Sequence, residues 1–141
     1  MAKIALFGST GRIGQRILNE ALARGHEVTA IVRDATQQSD KRPSLTFKPG
    51  DVLKPESVAV ATAGQDVVVS AYGPGAGDAK QLVTAANALL EGVATHQPMR
   101  VIVVGGAGSL EVSPGVQLVD TPDFPSGWKG AALAHRDALK C

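Results

Sequence analysis

Three observations predict an α/β fold built on a doubly wound parallel sheet. Strand-like and helix-like patterns alternate along all 141 residues. The first strand pattern is apolar almost throughout, which suits burial on both faces. The chain holds 16 glycines, and they gather in turns that follow strands.

The first strand is Ile4 to Phe7. Gly8-Ser9-Thr10-Gly11-Arg12-Ile13-Gly14 follows it and opens a helix from Arg12 to about Arg24, whose Ile13, Ile17, Ala21 and Leu22 share one stripe at helical spacing. Gly25 ends that helix as a left-handed cap. His26 to Val32 is the second strand, with Arg33-Asp34 at its C-terminal tip. Gln37 to Ser44 is polar and contains Pro43, so it reads as loop or a frayed short helix. Leu45 to Lys48 is a short third strand that Pro49-Gly50 breaks. Pro55 suits the first turn of a helix running to about Ala63. Asp66 to Ser70 is the fourth strand, and Tyr72 to Gly77 is a glycine- and proline-rich loop.

A long helix from Asp78 to about Ala94 turns Leu82, Ala85, Ala86, Leu89, Leu90 and Val93 inward. Arg100 to Val104 is the fifth strand. From Gly105 to Gly127 the pattern lapses into a loop too long to be a mere connection. A last helix, about Gly130 to Lys140, carries Ala131, Leu133, Ala134 and Leu139. Right-handed crossovers then give the strand order 3-2-1-4-5 in a Rossmann-like sheet, and residues 1–141 form a single domain. The loops after the first, fourth and fifth strands meet where the strand order reverses.

Bulk properties exclude several classes. A net charge of +1 gives no reason to expect a nucleic-acid partner. No apolar run approaches membrane-spanning length, and the N-terminal apolar run is only a strand long. The one cysteine, Cys141, has no partner for an internal disulfide, so a reducing, cytoplasmic setting is expected. The histidines lie far apart and show no metal-ligand spacing.

The order strand, glycine turn, helix makes a cradle for a dinucleotide pyrophosphate. The glycines let the backbone turn sharply and approach the phosphates, while the first helical turn offers free N–H groups and the positive end of its dipole. The bland alternative is a tight turn with no ligand. At the tip of the second strand an acidic residue would hold a ribose 2′-hydroxyl, but Arg33 stands there and suits a 2′-phosphate. NADP(H) is therefore favoured over NAD(H), with Asp34 serving NAD if Arg33 is only a solvated strand end. Arg12 adds a second positive charge. Asp51 and Val52 suit an adenine contact, although Asp51 reads equally well as a turn or cap residue.

Ser109 is the first choice for a polar group beside a substrate, against a plain turn serine. Tyr72 either borders the nicotinamide pocket or packs its own loop. His135 reads as a surface residue of the last helix before it reads as an acid near a site. His26 suits a helix end and His96 a solvated loop. Phe124 and Trp128 read as apolar anchors of the long loop.

Taken together, KIALFGSTGRIGQRILNEALARGHEVTAIVRD, GDVLKPESVA, GQDVVVSAYGPG, VIVVGGAGSLEV and DTPDFP resemble the atypical short-chain dehydrogenase/reductase superfamily. The nearest group is the NmrA-like and biliverdin reductase B-like proteins, which include NADH-flavin reductases. The resemblance implies that Gly8, Thr10, Gly11, Arg12, Ile13 and Gly14 hold the pyrophosphate and that Arg33 reads the 2′-phosphate. It places Asp51 and Val52 beside the adenine, Ser70, Ala71, Tyr72 and Gly73 along the ribose and nicotinamide, and Gly106, Ala107, Gly108 and Ser109 as the floor beside the nicotinamide.

The superfamily's Tyr-x-x-x-Lys couple is absent, since the only tyrosine is Tyr72 and Ala76 stands four residues on. Members lacking the couple reduce flavins or quinones, which accept hydride directly. The implied activity is NAD(P)H-dependent reduction of a flat acceptor, with flavin as substrate rather than bound cofactor. The alternatives are a redox sensor without catalysis or an inactive fragment. Family members continue past the last helix into further strands and a segment over the substrate. The chain thus reads as C-terminally shortened, with an open fifth strand, a tendency to associate and a possible homodimer.

Overall fold

The computed structural model describes residues 1–96 and 98–141. Its sheet contains β1 (Lys3–Phe7), β2 (Glu27–Val32), β3 (Leu45–Pro49), β4 (Val67–Ser70) and β5 (Arg100–Val103), in the order β3-β2-β1-β4-β5. Every pairing is parallel, with Leu6 level with Ala30 on one side and Val69 on the other. The predicted strand order is therefore the observed one.

Alternation along β1 divides the core into two layers. Ala5 and Phe7 point toward α2 (Pro55–Thr62) and α3 (Gln81–Val93), where they meet Ile31, Val58, Val68 and Leu89. Leu6 points to the opposite face, where α1 (Arg12–Ala23) supplies Leu18 and Ala21 against Val28 and Val69. Leu6, Val58, Val68 and Leu89 are fully buried, and side chains of this kind contribute roughly 1.5–3 kcal/mol each. α4 (Ser126–Ala138) packs against α3 and against the 3₁₀ turn Ala107–Ser109.

Several expectations are corrected. The buried stripe of α1 is Gly14, Leu18 and Ala21; Ile13 is 52% exposed, because the close seat of Gly14 on the β1 turn rotates the helix away from the Ile13 stripe. On α3, Ala88 and Gly92 are buried and Leu90 is not. The segment after β5 is not a featureless loop. It folds into the Ala107–Ser109 turn, an antiparallel hairpin of β6 (Glu111–Ser113) and β7 (Val116–Gln117), and a second 3₁₀ turn at Leu118–Asp120. Pro114-Gly115 makes the hairpin bend, with Gly115 at φ +76°.

α4 begins at Ser126, before Gly127 and Gly130, since docking on α3 outweighs the weak helix propensity of glycine. Its buried residues are Ala132 and Ala134, while Leu139 is 76% exposed. Trp128 is an exposed residue of α4 rather than a loop anchor. Neither is His96 solvated, as its Nε2 lies 2.8 Å from the Ala59 carbonyl oxygen. His26 accepts the Ala2 amide at 3.0 Å and so ties the N-terminus to the start of β2.

Candidate functional site

The C-terminal ends of β1, β2 and β4 open onto a polar cavity of about 470 Å³. Gly8, Thr10 and Gly11 form one wall, Arg33 and Asp34 the β2 side, Asp51 and Val52 the β3 side, and Ala71, Tyr72 and Gly73 the β4 side. Gly8 makes the turn possible. It sits at φ +76°, and a Cβ there would lie 2.6 Å from the Ala71 carbonyl oxygen. Gly14 has a different reason: its Cβ would lie 1.8 Å from the Gly8 carbonyl oxygen, so a side chain would push α1 off the strand. Gly11 precedes α1 with no side-chain capping bond, leaving the first amides of the helix without a side-chain partner.

Charged and polar groups in this cavity hold definite positions. Asp34 accepts from the Thr36 hydroxyl at 2.5 Å and the Thr36 amide at 2.9 Å, and these bonds keep its carboxyl below the usual carboxylate range. Asp51 accepts the Leu53 amide at 2.9 Å, while its own amide donates to Ser57 at 2.8 Å. The turn role anticipated for Asp51 is therefore present. Tyr72 donates to Gln81 Oε1 at 2.9 Å. Burial raises its phenol above the ordinary value, the Arg33 charge opposes that rise and the Asp51 charge adds to it. A phenol so held keeps its proton and is a poor acid–base group.

A second, apolar cavity of about 380 Å³ adjoins the first, and Tyr72 lines both. Its walls are the α3 face (Leu82, Ala85, Leu89), Val101 and Val103 of β5, and the end of α4. Ser70, Gly106, Ser109 and His135 are also in its lining. His135 packs so closely over Gly106 that a Cβ on that glycine would lie 3.1 Å from His135 Cβ. A Cβ on Gly108 would lie 2.8 Å from Ala132 Cβ. These two glycines therefore seat α4.

The family described as NAD(P)H-binding matches residues 8–140, from the glycine turn to the end of α4. The chain belongs to that NAD(P)H-binding family. The resemblance to the atypical short-chain dehydrogenases/reductases read from the sequence agrees with it. The uncharacterized protein YwnB of Bacillus subtilis is 37% identical over 140 residues, which cover 98% of this chain and 64% of YwnB. A "putative exported protein" from Burkholderia pseudomallei superposes with a TM-score of 0.88 at 52% identity, covering 99% of this chain and 65% of that one. A "putative NADH-flavin reductase" from Streptococcus pneumoniae superposes at 0.84 with 34% identity, covering 99% and 65%. This NAD(P)H-binding chain thus spans just under two thirds of the length of these relatives.

Features of the polar cavity fit the dinucleotide that an NAD(P)H-binding chain takes. Ser9 Oγ, inside the glycine turn, is buried without a partner among the described residues. Together with the uncapped amides of α1, it leaves unmet polar groups where a diphosphate would seat. Gly8, Thr10, Gly11, Arg33, Asp51, Val52, Ala71, Tyr72 and Gly73 come together in the polar cavity, while Ser70, Gly106 and Ser109 line the apolar one with Tyr72. Arg12 and Ile13 are exposed on the first turn of α1, Gly14 is buried behind the cradle, and Ala107 is exposed; none of the four lines either cavity. His135, read from the sequence as a surface residue, is instead half-buried in the apolar wall, and burial lowers its pKa. Its only sequence signal was one histidine on a helix of small residues. No group of three or more potential metal ligands occurs among the described residues. No described helix is long and apolar enough to cross a membrane.

Proposed function

We propose that this chain is the coenzyme-binding body of an NAD(P)H-dependent oxidoreductase that reduces a flat acceptor of the flavin or quinone type. The observation that carries this reading is the pairing of two cavities through Tyr72: a polar one that fits a dinucleotide and an apolar one beside it. The "NADH-flavin reductase" designation of the Streptococcus pneumoniae relative supports the same direction. Bound coenzyme supplies a hydride at the nicotinamide ring. The protein's share is to bind and orient the two partners and to keep water from the apolar side.

In this reading the backbone of Gly8–Gly14 and the first turn of α1 hold the diphosphate, with Arg12 and Ile13 at the helix start. Arg33 receives a 2′-phosphate, so NADP(H) is preferred over NAD(H). Asp34 is already occupied with Thr36, which supports that preference. Asp51 and Val52 border the adenine. Ser70, Ala71, Tyr72 and Gly73 border the ribose and nicotinamide, with Gly106 and Ala107 beyond them. Ser109 offers a hydroxyl to the acceptor, and Tyr72 acts by shape and by its bond to Gln81. Residues 1–141 act as one domain, in the cytoplasm, where a lone cysteine is at home.

The test is oxidation of NADPH, followed at 340 nm by its absorbance, with FMN, riboflavin or a quinone as acceptor. Turnover that saturates in both substrates supports the reading, and a folded, coenzyme-loaded protein with no turnover on any of them rejects it. The missing Tyr-x-x-x-Lys couple favours a second reading, a redox sensor without catalysis. Equal affinity for oxidised and reduced coenzyme, with no turnover, would support that one.

A further inference from the structure

The apolar cavity says more about its occupant than the reductase reading requires, and the following rests on that reading. Its wall is built from the Leu82, Ala85 and Leu89 face of α3 and from Val101 and Val103 of β5. Not one Lys, Arg, Asp or Glu side chain lines it among the described residues. FMN and FAD carry phosphate, and a phosphate brought into such a wall would lose its hydration without gaining a cation. The cationic side chain of the site, Arg33, lines the other cavity, behind Tyr72. Polarity in the apolar cavity comes from Ser70, Tyr72, Ser109, His135 and the exposed thiol of Cys141. Of these, the Tyr72 hydroxyl is already bound to Gln81. His135 is held against Gly106, half-buried, with its ring in the wall.

We propose that this cavity takes an uncharged, planar, apolar acceptor of the quinone class, and that His135 donates a hydrogen bond to one of its carbonyl oxygens. Charge builds on that oxygen during reduction, so a donor fixed there helps where it is needed. Burial lowers the pKa of His135, so near neutral pH the ring is a neutral one-proton donor and the wall carries no net side-chain charge. A ring of six to ten carbons suits a volume of about 380 Å³.

Duroquinone, the fully methylated benzoquinone, is the probe, because its ring carbons are all substituted and resist addition of the Cys141 thiolate. Durene is its match without carbonyls, and FMN and riboflavin form the flavin arm. Binding is measured on the intact chain, without coenzyme, from the methyl NMR shifts of Leu89, Val101 and Val103. Duroquinone should move these signals and bind more tightly than FMN, and FMN should bind no better than riboflavin. His135→Phe should weaken duroquinone about 3- to 10-fold and leave durene unchanged. His135→Gln keeps an N–H donor and should restore most of the loss.

FMN binding at these methyls more tightly than riboflavin would overturn the proposal. So would an equal loss of both probes in His135→Phe, or a second copy of the chain found covering the same methyls. Duroquinone bound as described but never reduced by NADPH would support the cavity assignment and remove the reductase reading. NADPH oxidation by FMN without duroquinone binding would do the reverse.

Discussion

Gly14 leaves no room for a methyl group, because the Gly8 carbonyl oxygen would stand 1.8 Å from it. Gly14→Ala should therefore destabilise the fold by about 1–3 kcal/mol in a urea melt, as overpacking at a rigid contact does. It should also weaken NADPH binding, since the first turn of α1 would swing away from the Gly8–Gly11 turn. Gly11 has more space, with its nearest contact at 3.5 Å, and Gly11→Ala should disturb stability less. At Arg33 the expected effect is on coenzyme choice rather than on folding. Arg33→Ala should cost NADPH roughly tenfold or more in affinity while leaving NADH nearly unchanged, because a charged hydrogen bond to the 2′-phosphate is lost. Fluorescence titration with both coenzymes checks it, and an equal loss for both would reassign Arg33 to a general role. Glycine was legible as a residue type throughout, but its reasons were not. Gly8 serves a turn and Gly14 a helix contact, whereas Gly106 and Gly108, read as the floor of a nicotinamide site, have His135 and Ala132 packed against them.

Among the elements, β5 is the exposed margin of the sheet, with Ile102 43% and Val103 51% exposed. Unpaired backbone groups beside apolar side chains invite association with another copy. Ile102→Lys should lower concentration-dependent association in sedimentation velocity while changing stability by no more than about 0.5 kcal/mol. Unchanged association would place the contact elsewhere. The strands were readable because each is a short apolar run closed by glycine or proline. The hairpin of β6 and β7 was not, because strands of 3 and 2 residues carry too little pattern to distinguish from a loop. What orders that segment is distant in sequence: Arg136 of α4 bonds Gln117 and Asp120, each at 3.2 Å. The N-terminus of α4 was misplaced for a related reason, since two glycines hide a helix that α3 stabilises from outside.

For the molecule as a whole, burial of His135 links the apolar cavity to pH. Its folded pKa lies below the unfolded value, so the unfolded chain binds the proton more readily. Stability should be at its full value above the ordinary histidine range, near 6.5, and fall as pH drops through the lower, folded-state pKa. Urea melts across that range should show the slope, and His135→Gln should flatten it. A slope of the same size in the variant would assign it to other groups. Sequence alone determined the layered α/β plan, the strand order and the glycine cradle, since each rests on neighbours in the chain: apolar runs, the residues that end them, and a turn joined directly to its helix. Only the tertiary structure decided which side chains share a cavity. It drew Tyr72 between two chambers, kept Arg12, Ile13, Gly14 and Ala107 out of both, and carried His135 into the apolar one. Those placements depend on the docking of α4 against α3 and the turn after β5, contacts between segments far apart along the chain that no local pattern encodes.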